Sequence, residues 1–258
     1  MKSIISRDNP TFKQLKKLAE SARERRKAGQ TLLDGVHLIE ACVAAGQLLQ
    51  MLVVSEGGLG HTEVAALLAR VSAAQTIVLP NALFAELSPV ETPTGILAVI
   101  DIPPPMVPAK PDFALLLEDL QDPGNLGTIL RSAAAAGVQV VWLSAGCVDA
   151  WSPKVLRAGM GAHFAVPVVE RVDLLATAAQ FDGQTLAACL QGEALYDIDL
   201  SGPVAFMIGN EGAGLGQALI DAAGKRFTIP MPGAIESLNA AAAASICLFE
   251  RVRQNRQR

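Results

Sequence analysis

The sequence holds few of the residues that build metal centres or covalent staples. Its four cysteines, Cys42, Cys147, Cys189 and Cys247, stand far apart with no C-x-x-C pair, and its three histidines, His37, His61 and His163, are equally scattered. Neither a disulfide framework nor a zinc site is indicated, no metal is expected, and a reduced, cytoplasmic setting fits. No apolar run reaches the roughly 18 residues of a membrane helix, and the start, MKSIISRDNP, turns polar after two isoleucines, so neither a span nor an export signal is expected. What is plentiful is core material: 51% of the 258 residues are hydrophobic, enough for one large domain or two modest ones.

Charge is spread unevenly. Residues 1 to 34 carry nine bases (Lys2, Arg7, Lys13, Lys16, Lys17, Arg23, Arg25, Arg26, Lys27) against four acids (Asp8, Glu20, Glu24, Asp34), although the whole chain is at -4. Such a patch is either the footprint of a polyanion or a solvated helix face. A second basic cluster, Arg251, Arg253, Arg256 and Arg258, reads as a frayed helical end.

Periodicity divides the chain. TLLDGVHLIEACVAAG reads as strand, glycine turn and helix, QLLQMLVVSEGG as a strand and its exit, HTEVAALLARVSAA as a helix, TIVLP as a strand, ALFAELSPVE as a helix and GILAVIDI as a strand. PPPMVPAKP then interrupts all regular structure, because proline removes backbone donors and fixes φ. The expected organisation is a first domain over 1–102, a linker over 103–111 and a second domain over 112–258. In that second domain Phe113 to Leu117 is a continuous apolar run suited to a parallel strand buried on both faces, and GVQVVWLS is another, with a helix between. Further strands are expected at Ala165 to Val169, Thr185 to Ala188, Val204 to Ile208 and Phe227 to Ile229. Sheets of this α/β kind bind ligands beyond the carboxyl ends of their strands.

Three loops lie there. In Asp122-Pro-Gly-Asn-Leu-Gly-Thr128, Asn125 is suited to capping the next helix and Gly127 permits close approach. Arg131, four residues on in an apolar segment, is either a snorkelling surface residue or a group aimed at a polar reacting centre. The second loop, Ile208-Gly-Asn-Glu-Gly-Ala-Gly-Leu-Gly216, has no Lys-Ser/Thr pair and does not match G-x-G-x-x-G with an acid about twenty residues on, which sets aside a P-loop and a dinucleotide-binding dehydrogenase. It is either a tight turn or a backbone surface for an adenine-containing ligand, with Asn210 and Glu211 as polar partners. In the third, IPMPGAIESLNAAAAAS, prolines hold the chain open before Ser237 or Asn239 caps an alanine-rich helix.

The order N-L-G-x-x-x-R, then G-N-E-G-x-G-L, then I-P-M-x-G-x-x-E-S-L-N resembles the three motifs of the SpoU (TrmH-type) RNA ribose 2′-O-methyltransferases of the SPOUT superfamily, over essentially the whole second half. More loosely, NPTFKQLKKLAESARERRKAGQTLLDGVHLIEACV and LSPVETPTGILAVI are similar to the family's N-terminal RNA-binding module, with Asp34-Gly35 where the family usually has Glu-Gly. The resemblance implies an α/β fold: a parallel-sheet SPOUT domain with a deep trefoil knot, preceded by a smaller α/β ribosomal-protein-like RNA-binding domain. It implies S-adenosylmethionine as cofactor, gripped by Gly209, Asn210, Gly212, Ile229, Met231, Gly233, Ser237 and Leu238. Arg131 would act at the ribose hydroxyl, with Asn125, Glu211, Ser237 and Asn239 around it. RNA is the implied substrate, ribosomal favoured over transfer RNA, and a homodimer the implied assembly. Where the family often has Val-Ser-Val-Ala after Asn239, this chain has four alanines, losing one hydroxyl. A non-catalytic RNA-binding protein on the same fold, or a base-methylating relative, are the competing readings; the first would usually have lost Asn125, Arg131, Glu211 or Asn239, and the second would not share this trio of motifs.

Overall fold

The computed structural model describes residues 1–88, 90 and 92–256. It comprises two compact units, one formed by Met1–Pro104 with Trp151–Phe164, the other by Pro105–Ala150 with the chain from Ala165 onward. In the first unit the order is β1 (Lys2–Ser3), α1 (Pro10–Glu20), α2 (Ala22–Ala28), β2 (Gln30–Asp34), α3 (Val36–Ala44), β3 (Leu49–Ser55), α4 (Thr62–Arg70), β4 (Ala73–Leu79), α5 (Asn81–Ala85) and β5 (Ile96–Asp101). The sheet order is β1-β4-β3-β5-β2, with β1, β4 and β3 parallel and β5 antiparallel to both β3 and β2.

Helix α1 forms because Asn9 caps it, accepting from the Thr11 amide at 2.9 Å, and because Pro10 suits a first turn. Its Phe12, Leu15 and Leu18 face the core, leaving the lysines outside. Arg25 of α2 is buried: its guanidinium donates to the carbonyls of Leu18 (2.7 Å) and Ala19 (3.2 Å) near the end of α1. One of the basic residues is therefore a structural bond. Gly58 and Gly95 must both be glycine, since a Cβ on either would strike the other's backbone.

A helix α7 (Pro153–Gly159), which division of the sequence at 103–111 leaves with the second half, packs against β2, and the Thr31 hydroxyl donates to the Trp151 carbonyl at 2.6 Å.

In the second unit β6 (Phe113–Leu117), α6 (Pro123–Ala136), β7 (Val140–Leu143), β8 (Val168–Val169), α8 (Leu174–Gln180), β9 (Gln184–Ala194), β10 (Val204–Ile208), α9 (Gln217–Ala222), β11 (Lys225–Thr228) and α10 (Ala240–Asn255) build an all-parallel sheet in the order β11-β9-β10-β6-β7-β8. All five residues of β6 and of β10 are buried, as a strand covered on both faces requires.

Several expected boundaries move. The helix expected over HTEVAALLARVSAA stops at Arg70, and its tail becomes the start of β4. The one expected over ALFAELSPVE is the short α5, ending before the residue that precedes a proline, while Pro89 and Glu91 lie outside the described residues, as does Arg258 of the terminal cluster. Strand β8 is only two residues long, and β11 ends at Thr228, ahead of Pro230 and Pro232, which have no N–H to donate. Strand β9 runs to Ala194 because pairing with β11 resumes past a bulge at Arg226/Phe227.

Candidate active site

Strands β6 and β10 pair in register, Leu117 opposite Ile208, and the Glu118 amide extends the ladder to the Ile208 carbonyl at 2.9 Å. The loops leaving the carboxyl ends of these strands are therefore neighbours. The first loop ends in a helix capped not by Asn125, as expected, but by Asp122, whose Oδ1 accepts from the Asn125 amide at 2.7 Å. The residue directly before a proline at the first helical position holds the cap, and Asn125 sits one turn inside, its side chain free for other work.

That work is tertiary. Asn239 caps α10, its Oδ1 accepting from the Ala241 and Ala242 amides at 2.9 and 3.2 Å, which directs its Nδ2 to Asn125 Oδ1 at 2.8 Å. Asn125 Nδ2 is thereby directed to Glu211 Oε1 at 3.0 Å. The same oxygen accepts from the Asp122 amide at 3.2 Å, and Oε2 accepts from the Gln121 amide at 3.2 Å. A carboxylate can only accept, so the orientation of both amides follows from the chemistry of the chain's two ends. Burial alone would raise the Glu211 carboxyl, but the hydrogen bonds from Asn125 and from backbone amides together outweigh it and hold it below the ordinary glutamate value. Asn125, Glu211 and Asn239, one from each motif, are thus tied into one network.

The glycine-rich loop is a tight hairpin. Asn210 and Gly214 exchange backbone hydrogen bonds at 3.0 and 2.9 Å, and Asn210 Oδ1 accepts from the Gly212 and Ala213 amides at 2.9 and 3.0 Å. Gly209 is buried where any Cβ would run into the Gly214 and Leu215 backbone. The side chain of Asn210 is spent on its own loop and, through Nδ2, on the Asp119 carbonyl at 2.8 Å.

Arg131 is exposed on α6, and its guanidinium makes no hydrogen bond or ion pair with any described residue. Ser237 is exposed and outside the network. Between β11 and α10 the chain has no regular structure; Ile229 and Met231 are half-buried, Leu238 and Ile235 are 41% and 71% exposed, and a Cβ on Gly233 would meet open space. Backbone groups free of any ladder, apolar side chains open to a ligand and the Glu211 carboxylate make a donor set that fits S-adenosylmethionine, an aromatic base with a cationic sulfur. Sequence reasoning missed the residues that brace these loops. Glu118 Oε2 accepts from the Gly216 amide at 2.6 Å, and Asp119, Gln121, Asp122 and Ser144 also take part. Only Asp122, by its Asp-Pro start signal, carried a local sign.

Residues 112–249 match the model of the SpoU rRNA Methylase family, and residues 9–98 match the MRM3-like substrate binding domain. The chain belongs to the SpoU family. Among similar SpoU proteins, the 23S rRNA (guanosine(2553)-2′-O)-methyltransferase RlmP of Bacillus subtilis is 35% identical, with 96% of this chain and 98% of that protein covered. The human rRNA methyltransferase 3, mitochondrial, is 33% identical over 93% of this chain and 71% of its own length. The crystal structure of the SpoU methyltransferase AviRb from Streptomyces viridochromogenes in complex with AdoMet superposes with a TM-score of 0.85 at 31% identity, covering 95% of this chain and 98% of that one. Among the described residues no group of three or more His, Cys, Asp or Glu could hold a metal ion, and no helix is long and apolar enough to cross a membrane.

Proposed function

We propose that this SpoU protein transfers a methyl group from S-adenosylmethionine to the 2′-hydroxyl of a ribose in ribosomal RNA. The observation that carries the reading is the network that ties Asn125, Glu211 and Asn239 together while leaving the guanidinium of Arg131 free. Gly209, Asn210, Gly212, Ile229, Met231, Gly233, Ser237 and Leu238 would hold the cofactor, largely through backbone and apolar contacts. Bound there, it supplies a methyl group on a sulfonium, ready for in-line displacement. The protein's part is to place the hydroxyl and to help it lose its proton. Glu211, with its carboxyl held low and its oxygens accepting from Asn125, Gln121 and Asp122, is a poor base and a good brace. A guanidinium only donates hydrogen bonds, so Arg131 would donate to the ribose oxygen and stabilise the alkoxide that develops, while the proton passes to water or an RNA phosphate.

The finer features belong to the same reading. The hydrogen bond from Asn239, at the start of the last helix, to Asn125 of the first loop supports a deep trefoil knot with the last segment drawn behind those loops. Exposed Ala242 and Phe249 with partly exposed Ile246 on α10 support a homodimer through that helix. The lysine face of α1 supports RNA binding by a first domain of ribosomal-protein-like type, spanning 1–102, joined by 103–111 to a catalytic domain over 112–258; the setting is cytoplasmic. Labelled S-adenosylmethionine and RNA from cells lacking the protein test the substrate class. Label in the ribosomal fraction is expected; label confined to transfer RNA would move the target there.

A further inference from the structure

Asp119 stands directly behind β6 with φ +52°, a left-handed conformation that side chains other than asparagine and aspartate seldom adopt. The kink has a use. Its carbonyl accepts Asn210 Nδ2 at 2.8 Å and Gln121 Nε2 at 3.3 Å, so the turn that distorts Asp119 presents an acceptor to the residue that organises the 209–214 hairpin. The carboxylate is anchored in turn: Ser144 Oγ, beyond β7, donates to Asp119 Oδ1 at 2.6 Å and accepts from the Asp119 amide at 2.9 Å. Gly146 completes the seat, because a Cβ there would occupy the place of the Asp119 carboxylate. Glycine at 119 would give the turn without the anchor, and alanine would give neither.

We infer that Asp119 is a positioning residue for the cofactor: through its left-handed carbonyl it holds Asn210, and through Asn210 the Gly212 and Ala213 amides, in the arrangement that receives S-adenosylmethionine, with Ser144 as the latch. The inference rests on the assignment of the Gly209–Gly212 loop to the cofactor. Glu211 answers to Gln121 and Asp122 on the same loop, so release of Asp119 loosens the mouth of the site while Arg131, on α6, keeps its place.

The test is S-adenosylmethionine titration into the full chain, with steady-state turnover on RNA, for wild type, Asp119→Asn, Asp119→Ala and Ser144→Ala. Asparagine keeps both the left-handed preference and an oxygen for Ser144, so its affinity stays within about twofold of wild type. Both alanine variants weaken the cofactor's Kd and KM about tenfold, the loss of one well-made hydrogen bond to a charged group, with kcat at saturating cofactor little changed. Faster hydrogen exchange at the Gly212 and Ala213 amides accompanies the loss. Ser144→Ala leaves the strained backbone untouched and reports on the latch even if Asp119→Ala folds poorly. Unchanged cofactor affinity in Ser144→Ala, an asparagine variant as impaired as the alanine one, or a loss confined to kcat would overturn the role of Asp119. Wild-type protein that binds no S-adenosylmethionine would instead overturn the cofactor assignment beneath it.

Discussion

Glu211 carries no free charge to spend on chemistry, and its pH behaviour follows from its partners. Its carboxyl sits below the ordinary value of 4.5, so the bracing it provides is complete above that value and is lost as pH falls through the lower folded value. Cofactor affinity is therefore expected to hold down to about pH 4.5 in titrations of wild type, with no loss traceable to Glu211 nearer neutrality. Glu211→Gln must turn an amide donor toward backbone N–H groups that need an acceptor, and a fall of about tenfold in cofactor affinity is expected by calorimetry at pH 7. Asp34 behaves in the opposite sense. Burial raises its carboxyl above the ordinary 3.8, against the lowering effects of Ser88 and Arg157, and its Oδ1 has no partner. A raised acid favours the fold when protonated: its contribution is full below 3.8 and is lost as pH rises through the folded value. Asp34→Asn should therefore raise stability at pH 7 by about 1 kcal/mol in thermal melts, with the gain fading as pH falls through the raised folded value and absent below 3.8.

Elements carry the site to its place. Helices α6 and α10 pack together, with the Ser132 and Ser245 hydroxyls 2.8 Å apart and Ala244 fully buried. Ala244→Leu forces extra carbons into a fully buried position of α10 and is expected to cost about 1–3 kcal/mol, read as a lower Tm. The parts of this arrangement legible in the sequence are those whose cause is local. FALLL and VAFMI are continuous apolar runs, which mark doubly covered strands, and Asn239 ahead of five alanines marks a helix start. What could not be read depends on distant partners. The length of β9 is set by its bulged pairing with β11, the anchoring of the Asp119 side chain by Ser144, and the duty of Asn125 by Asn239 and Glu211. The motif residues were found by resemblance; their wiring came from the fold.

Over the whole molecule, basic charge is concentrated where substrate affinity is expected and not where the chemistry lies. Lys13 is paired with Asp8 at 2.8 Å and Lys16 with Glu86 at 2.9 Å, while Lys17 and Lys27 line a cleft of about 290 Å³ between α1 and α2 without ion-pair partners among the described residues. No aromatic side chain lines that cleft, so it suits phosphate and not base stacking. The Lys17→Glu/Lys27→Glu double variant should weaken RNA binding and reduce the slope of log K against log salt by about two, leaving cofactor affinity unchanged. The most direct test of the central claim is alkaline hydrolysis of RNA labelled from S-adenosylmethionine by wild type, Arg131→Ala and Arg131→Lys. The account predicts label in alkali-resistant dinucleotides with wild type, almost none with either variant although both bind the cofactor, because lysine lacks the planar fork; label on a base, or near-normal transfer by Arg131→Lys, would contradict it.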